Sequence, residues 1–166
     1  MKSSSNDVSI RPAKAGDGAA IFALIYELAE YEKLTDQVIG SAEQLEIDLF
    51  GAEPKCEALV AEADGQVVSY ALFFGTYSTF RTQNGIYLED LYVALDYRGQ
   101  GIGRRMLAEV AKMTVSRGGG RLEWSVLDWN EPAIRFYESL GAFAQSEWTM
   151  HRLTSDALTN LAQHAK

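Results

Sequence analysis

Residues 87–103 read Tyr-Leu-Glu-Asp-Leu-Tyr-Val-Ala-Leu-Asp-Tyr-Arg-Gly-Gln-Gly-Ile-Gly. The first half is β-rich from Ile86 to Val93 and the second is a glycine-rich turn. Behind it, residues 103–117 have the periodicity of an amphipathic helix, closed by Gly118, Gly119 and Gly120. A strand that passes through glycines directly into a helix is built to hold phosphate. Glycines let the backbone approach oxygen atoms, successive N–H groups converge, and the helix start adds about half a positive charge. Arg98, Arg104 and Arg105 supply counter-charge.

Moving toward the N-terminus, Asp64-Gly65 suits a type I′ hairpin turn between the β-rich runs 57–63 and 67–74, which predicts antiparallel pairing. A helix capped by Asp17 and running to about Lys33 is expected, because Ile21, Leu24, Ile25 and Leu28 recur at i, i+3, i+4, i+7. Ser41 with Gln44 three residues on forms a capping box for a second helix ending at Phe50. A short strand over 10–12 opens the pattern. Beyond the glycine loop, the spacing predicts a strand over 121–127 and a short helix from Asn130 with Pro132 in its first turn. A last strand over 147–153 and a terminal helix over 154–164 follow.

The chain has 166 residues, the size of one domain, so residues 1–8 read as a flexible leader and 9–166 as a single unit with one site. No apolar run approaches a membrane span, and the first residues lack the features of a secretory signal. With Cys56 the one cysteine, a reducing cytoplasm is expected. A formal charge of −8 argues against nucleic acid and favours cationic ligands. His151 and His164 lack metal-ligand spacing, so no metal is expected, and Cys56 reads as an inert core thiol.

Three phosphate loops compete for residues 98–105. A Walker loop requires Lys followed by Ser or Thr where Arg104-Arg105 stands, and a dinucleotide fingerprint starting at Gly99 puts Arg104 where its third glycine belongs. Arg98-x-x-Gly101-x-Gly103 instead resembles the pyrophosphate motif of the GNAT (GCN5-related) N-acetyltransferases. The strand before it and Asn130-Glu131-Pro132-Ala133-Ile134-Arg135-Phe136-Tyr137 after it extend the likeness to nearly the whole chain. The resemblance implies an α/β fold, a mixed and mostly antiparallel central sheet splayed at its middle strands with helices on both faces. Ile10-Arg11-Pro12-Ala13, residues 24–32, Leu88-Glu89-Asp90 and Trp129-Asn130-Glu131-Pro132 with Phe136-Tyr137 are most similar to the diamine and polyamine enzymes, the thialysine type included. Ala23, where those enzymes carry an arginine, and residues 76–85, which lack their tryptophan, depart from that pattern.

The implied co-substrate is acetyl-CoA and the implied acceptor a small amine. An alkyl amine has a pKa near 10.4, so only about one molecule in a thousand is nucleophilic at pH 7, and a base or a desolvating acidic site is required. Glu89 and Asp90, mid-strand in an apolar run, would point to opposite faces by simple alternation, so at least one enters the interior. Glu89 reads as the base acting through water, as an ammonium clamp, or as the partner of a core arginine. The resemblance gives Tyr137 the role of general acid and Leu91 N–H a place near the acetyl carbonyl. Leu91, Tyr92 and Val93 then run alongside pantetheine. Arg98, Gly99, Gln100, Gly101, Ile102, Gly103 and Arg104 hold pyrophosphate, and Asn130, Pro132 and Ala133 add cofactor contacts. It also assigns Tyr31, Glu32, Glu89, Asp90 and Trp148 to the acceptor, while Glu27, Glu30, Asp36 and Glu43 read as a solvated face. A homodimer is the family expectation. Another amine acceptor (a lysine-like amino acid, an aminoglycoside, a protein N-terminus) and a non-catalytic acyl-CoA sensor stay open.

Overall fold

A computed structural model describes residues 8–165. The chain divides into two compact units, Met1–Ser125 and Val126–Lys166, each described by itself. Residues 1–7 of the expected leader lie outside the described residues.

The first unit holds β1 (Ser9–Pro12), α1 (Gly18–Glu32), α2 (Ala42–Phe50), β2 (Glu57–Ala63), β3 (Gln66–Ser78), β4 (Gln83–Val93), α3 (Ile102–Ser116) and β5 (Leu122–Trp124). The five strands lie in chain order, β1 to β4 antiparallel and β5 parallel to β4, so the sheet is mixed and mostly antiparallel as the resemblance implied. Asp64 and Gly65 both take positive φ, 50° and 77°, the type I′ geometry that matches the twist of β2 and β3. Every residue from Val68 to Phe73 is buried, the mark of a strand covered on both faces. On one face Tyr70, Leu72 and Tyr92 join Ile21 and Leu24 of α1 and Leu49 of α2 in a single apolar cluster.

Two details govern the site. First, β3 pairs with β4 through Leu72↔Asp90 and then Phe73↔Leu88, so Glu89 is the extra residue of a β-bulge. The bulge removes the alternation on which the opposite-face expectation rested, because Asp90 now shares a face with Leu72 and Leu88 with Phe73. Second, the parallel ladder of β4 with β5 ends at Leu88↔Trp124. The predicted strand over 121–127 is therefore only Leu122–Trp124, and the ladder stops just where β4 reaches Glu89.

Asp17 stands at the start of α1 but its carboxylate makes no cap hydrogen bond there. It accepts instead from Arg11 Nη1 at 2.7 Å and from Lys14 N–H at 2.8 Å. Ser41 caps α2 as expected, its Oγ accepting from Gln44 N–H, while the Gln44 amide turns forward to Asp48. In the second unit, α4 (Glu131–Ser139) and α5 (Ser155–Ala162) are the helical elements. The strand expected over 147–153 is absent there. Those residues are irregular and exposed, with Trp148, Met150 and Leu153 bearing their apolar surface to solvent. A β-type pattern that buries no face has nothing to stabilise it as a strand within that unit. No helix among the described residues is long and apolar enough to cross a membrane.

Candidate active site

The phosphate-type loop follows directly from β4. After a 3-10 turn, Leu95–Tyr97, the chain passes Arg98 to Gly99 and Gly101, with φ of 75° and 76°. Only glycine adopts this left-handed conformation without penalty, and a side chain there costs about 1–2 kcal/mol. Gly101 occupies the N-cap of α3, so the first-turn N–H groups of Ile102, Gly103 and Arg104 have no partners within the helix, the arrangement that suits a helix start to an anion. A methyl at Gly103 would stand 3.7 Å from the Val93 side chain, an ordinary contact, so this glycine keeps the strand and helix close without being sterically obligatory.

Beside the loop, the end of α1 meets the middle of β4. Asp90 is half-buried, and its Oδ2 accepts from Tyr70 O–H at 3.1 Å. Burial pushes the Asp90 carboxyl up to about 6, opposed by the Tyr70 hydrogen bond and reinforced by the charges of Glu89 and Glu32. Tyr70, fully buried, is driven strongly upward by its own burial and by Asp90, to which its hydroxyl donates. Glu32, the last residue of α1, is half-buried and also shifted upward by desolvation. The charges of Glu89 and Glu32 both bear on Asp90, and an ammonium would relieve that repulsion. Glu89 is exposed on the bulge, and the enclosed carboxylate of the pair is Asp90.

Tyr92, buried, donates its hydroxyl to Glu27 Oε2 at 3.1 Å, while Ser69 Oγ donates to the Tyr92 carbonyl at 2.7 Å. The Arg98 guanidinium lies 4.9 Å from the ring centre of Tyr31 and 5.1 Å from that of Tyr92. Its Nε–H donates to the Val93 carbonyl at 2.9 Å. In the first unit the structure thus brings together Tyr31, Glu32, Asp90, Tyr92, Val93 and Arg98. Leu91 stands half-buried between Asp90 and Tyr92, and Gln100 reaches the Asp96 carbonyl.

In the second unit, Asn130 is buried and its side chain caps α4 by accepting from Ala133 N–H, with Pro132 in the first turn. Tyr137 is half-buried on α4 with its ring tilted against Phe136, centroids 5.4 Å apart. Trp148 is 77% exposed. Two residues escaped the sequence reading. Tyr70 looks like any strand aromatic until its hydroxyl is seen to meet Asp90, and Glu27 falls among solvated carboxylates by charge pattern yet holds Tyr92. Its place four residues before Tyr31, on one helical face, was the available signal.

Residues 23–142 match the family of acetyltransferases described as Acetyltransferase (GNAT) family. The chain is 46% identical over 166 residues to a thialysine N-epsilon-acetyltransferase of Bos taurus, covering 93% of this chain and 97% of that protein. It is 42% identical over 114 residues, 68% of this chain and 50% of the other, to an L-ornithine N5-acetyltransferase of Arabidopsis thaliana. An integron cassette protein from the V. cholerae mobile metagenome has the same fold, with a TM-score of 0.79, 23% identity and coverage of 95% and 98%. A strand bulged at its carboxylates, a left-handed glycine pair leading into a helix, and these likenesses over most of the chain agree: it is an acyltransferase belonging to the GNAT family.

Proposed function

We propose that the protein transfers the acetyl group of acetyl-CoA directly to a primary amine of a small cationic acceptor, a diamine, polyamine or lysine-like amine. The observation that carries this reading is the juxtaposition, within one unit, of an anion-receiving loop at Arg98–Gly103 with the enclosed carboxylates Glu32 and Asp90. One end suits pyrophosphate and the other suits ammonium. Relatives named for thialysine and for L-ornithine, each an amino acid ending in a primary amine, support the acceptor class.

In the proposed reaction the neutral amine nitrogen attacks the thioester carbon, a C–N bond forms, the C–S bond breaks, and the acetamide and CoA thiol leave. Before the attack Glu32 and Asp90, with Tyr31 alongside, hold the ammonium, and its proton passes to Glu89 through water; the second N–H proton, lost as the amide forms, balances the one taken up by the departing thiolate. Gly99, Gln100, Gly101, Ile102, Gly103 and Arg104 receive the pyrophosphate. Leu91, Tyr92 and Val93, past the end of the β4–β5 ladder, offer backbone groups to pantetheine as an added strand would, with Leu91 N–H on the carbonyl oxygen. Tyr137 as the acid that protonates the departing thiolate, Asn130, Pro132 and Ala133 as cofactor contacts, and Trp148 as an acceptor-side aromatic rest on the family motifs. Because the family match runs across Ser125, one acetyltransferase domain over 9–166 is part of the proposal. So is a cytoplasmic homodimer.

Release of CoA from acetyl-CoA, measured against thialysine, lysine, ornithine, putrescine, spermidine and an aminoglycoside, tests the reading. A preference for the ω-amino compounds supports it. Tight acetyl-CoA binding with release on none of them overturns it in favour of a sensor or a protein acceptor.

A further inference from the structure

Arg98 is the first residue of the phosphate-loop motif, yet its side chain is committed elsewhere. The guanidinium plane spans two aromatic rings, Tyr31 on α1 at 4.9 Å and Tyr92 on β4 at 5.1 Å, and Nε–H is spent on the Val93 carbonyl. The second ring is itself fixed, because Tyr92 O–H donates to Glu27, one helical turn before Tyr31 on the same face of α1. Glu27, Tyr92, Arg98 and Tyr31 therefore form a closed clasp of one helix, one strand and the loop. Tyr31 and Glu32 are adjacent, so whatever fixes Tyr31 also fixes the end of the helix that carries Glu32, whose charge bears on Asp90.

We infer that the Arg98 side chain is a positioning residue for the amine half of the site, holding Tyr31 and the end of α1 in place through its stack on Tyr31 and Tyr92. This rests on the reading of Tyr31 and Glu32 as acceptor-side residues. The backbone of residues 99–103 binds phosphate, and the guanidinium ties that loop to the acceptor. A lysine at this position keeps the charge for phosphate but has neither the planar fork nor the Nε–H donor, so it separates the two roles.

The test uses the full chain and three variants, Arg98→Lys, Tyr31→Leu and the double change. Arg98→Lys is expected to raise the KM of the preferred amine about 2–5-fold, the scale of a solvent-exposed cation–π contact, with the acetyl-CoA Kd within about twofold. Tyr31→Leu should do the same, and the double variant should be no worse than the poorer single one, since both break one clasp. A weakened acetyl-CoA Kd with unchanged amine KM, or fully additive effects, overturns the inference. An NMR readout stands independently of turnover. The Arg98 δ-protons should be shifted upfield by the two rings in the ligand-free protein and relax toward free-arginine positions in Tyr31→Leu. Free-arginine shifts in the unsubstituted protein sink the clasp even if amine transfer is confirmed, and an absence of transfer with the upfield shift intact sinks only the reading of function.

Discussion

Replacing Asp90 by Asn should make the protein more stable while making it a poorer enzyme. The carboxyl is raised from 3.8 to about 6, first by burial, so its ionised form is disfavoured in the folded state relative to the unfolded chain. That displacement is worth about 3 kcal/mol at a pH above both values, at 1.36 kcal/mol per tenfold change in proton affinity. The sign follows from proton counting. Between about pH 4 and 6 the folded protein binds more protons than the unfolded one, so stability falls as pH rises through that window and stays lower above it. Asn cannot ionise, and its amide oxygen still accepts from Tyr70 O–H, so the variant keeps the 3.1 Å hydrogen bond without the desolvated charge. Urea unfolding of both proteins at pH 3.5, 5, 6, 7 and 8 should therefore show Asp90→Asn more stable by about 1–3 kcal/mol at pH 7 and 8. The advantage should shrink through the window and vanish near pH 3.5. An advantage independent of pH, or none at pH 7, would refute the view that the cost comes from a buried charge. Amine KM should rise in the same variant, since the charge that burdens the fold is the one proposed to receive the ammonium.

The other expectations concern single contacts. Tyr137→Phe should lower kcat by about 100-fold, the scale of one general acid, with the acetyl-CoA Kd unchanged in a calorimetric titration; an unchanged kcat removes Tyr137 from the chemistry. Glu32→Gln should raise amine KM about tenfold with little effect on acetyl-CoA, read from steady-state kinetics with each substrate varied. Arg11→Ala should destabilise the fold by about 2–4 kcal/mol. Arg11 bridges Asp17 and Glu62 at 2.7 Å each, and it holds the buried Asp17 carboxyl below its usual range. Arg117→Ala breaks an equally short bridge to Glu57, but both partners are more than 40% exposed, so the loss should be under about 1 kcal/mol. Urea midpoints that rank the two variants the other way would mean that burial does not govern these pairs.

Much of this protein was decided locally and was therefore legible in order along the chain. Asp64-Gly65 dictates a type I′ turn because few other pairs tolerate two positive φ angles, and Ser41 caps α2 through its own hydroxyl. Gly99 and Gly101 announce a left-handed loop for the same steric reason, and the 3.6-residue period of Ile21, Leu24 and Leu28 fixes which side of α1 is buried. These features involve neighbours a few residues apart, so no knowledge of the rest of the chain is needed. What the sequence did not settle depends on register and on residues far apart. The bulge that falls on Glu89, and so encloses Asp90, arises from matching β4 to β3 across the whole hairpin. One skipped residue there reverses which carboxylate is desolvated. The partners Tyr70–Asp90, Glu27–Tyr92 and Arg98–Tyr31 join positions 20, 65 and 67 residues apart. Asp17 shows the same limit on a smaller scale. Its position marks a helix start, but a guanidinium delivered by the neighbouring strand offers a stronger bond than the helix N–H groups it was expected to cap. Local sterics select the elements, whereas burial and charge pairing, which exist only once the elements are packed, select the site.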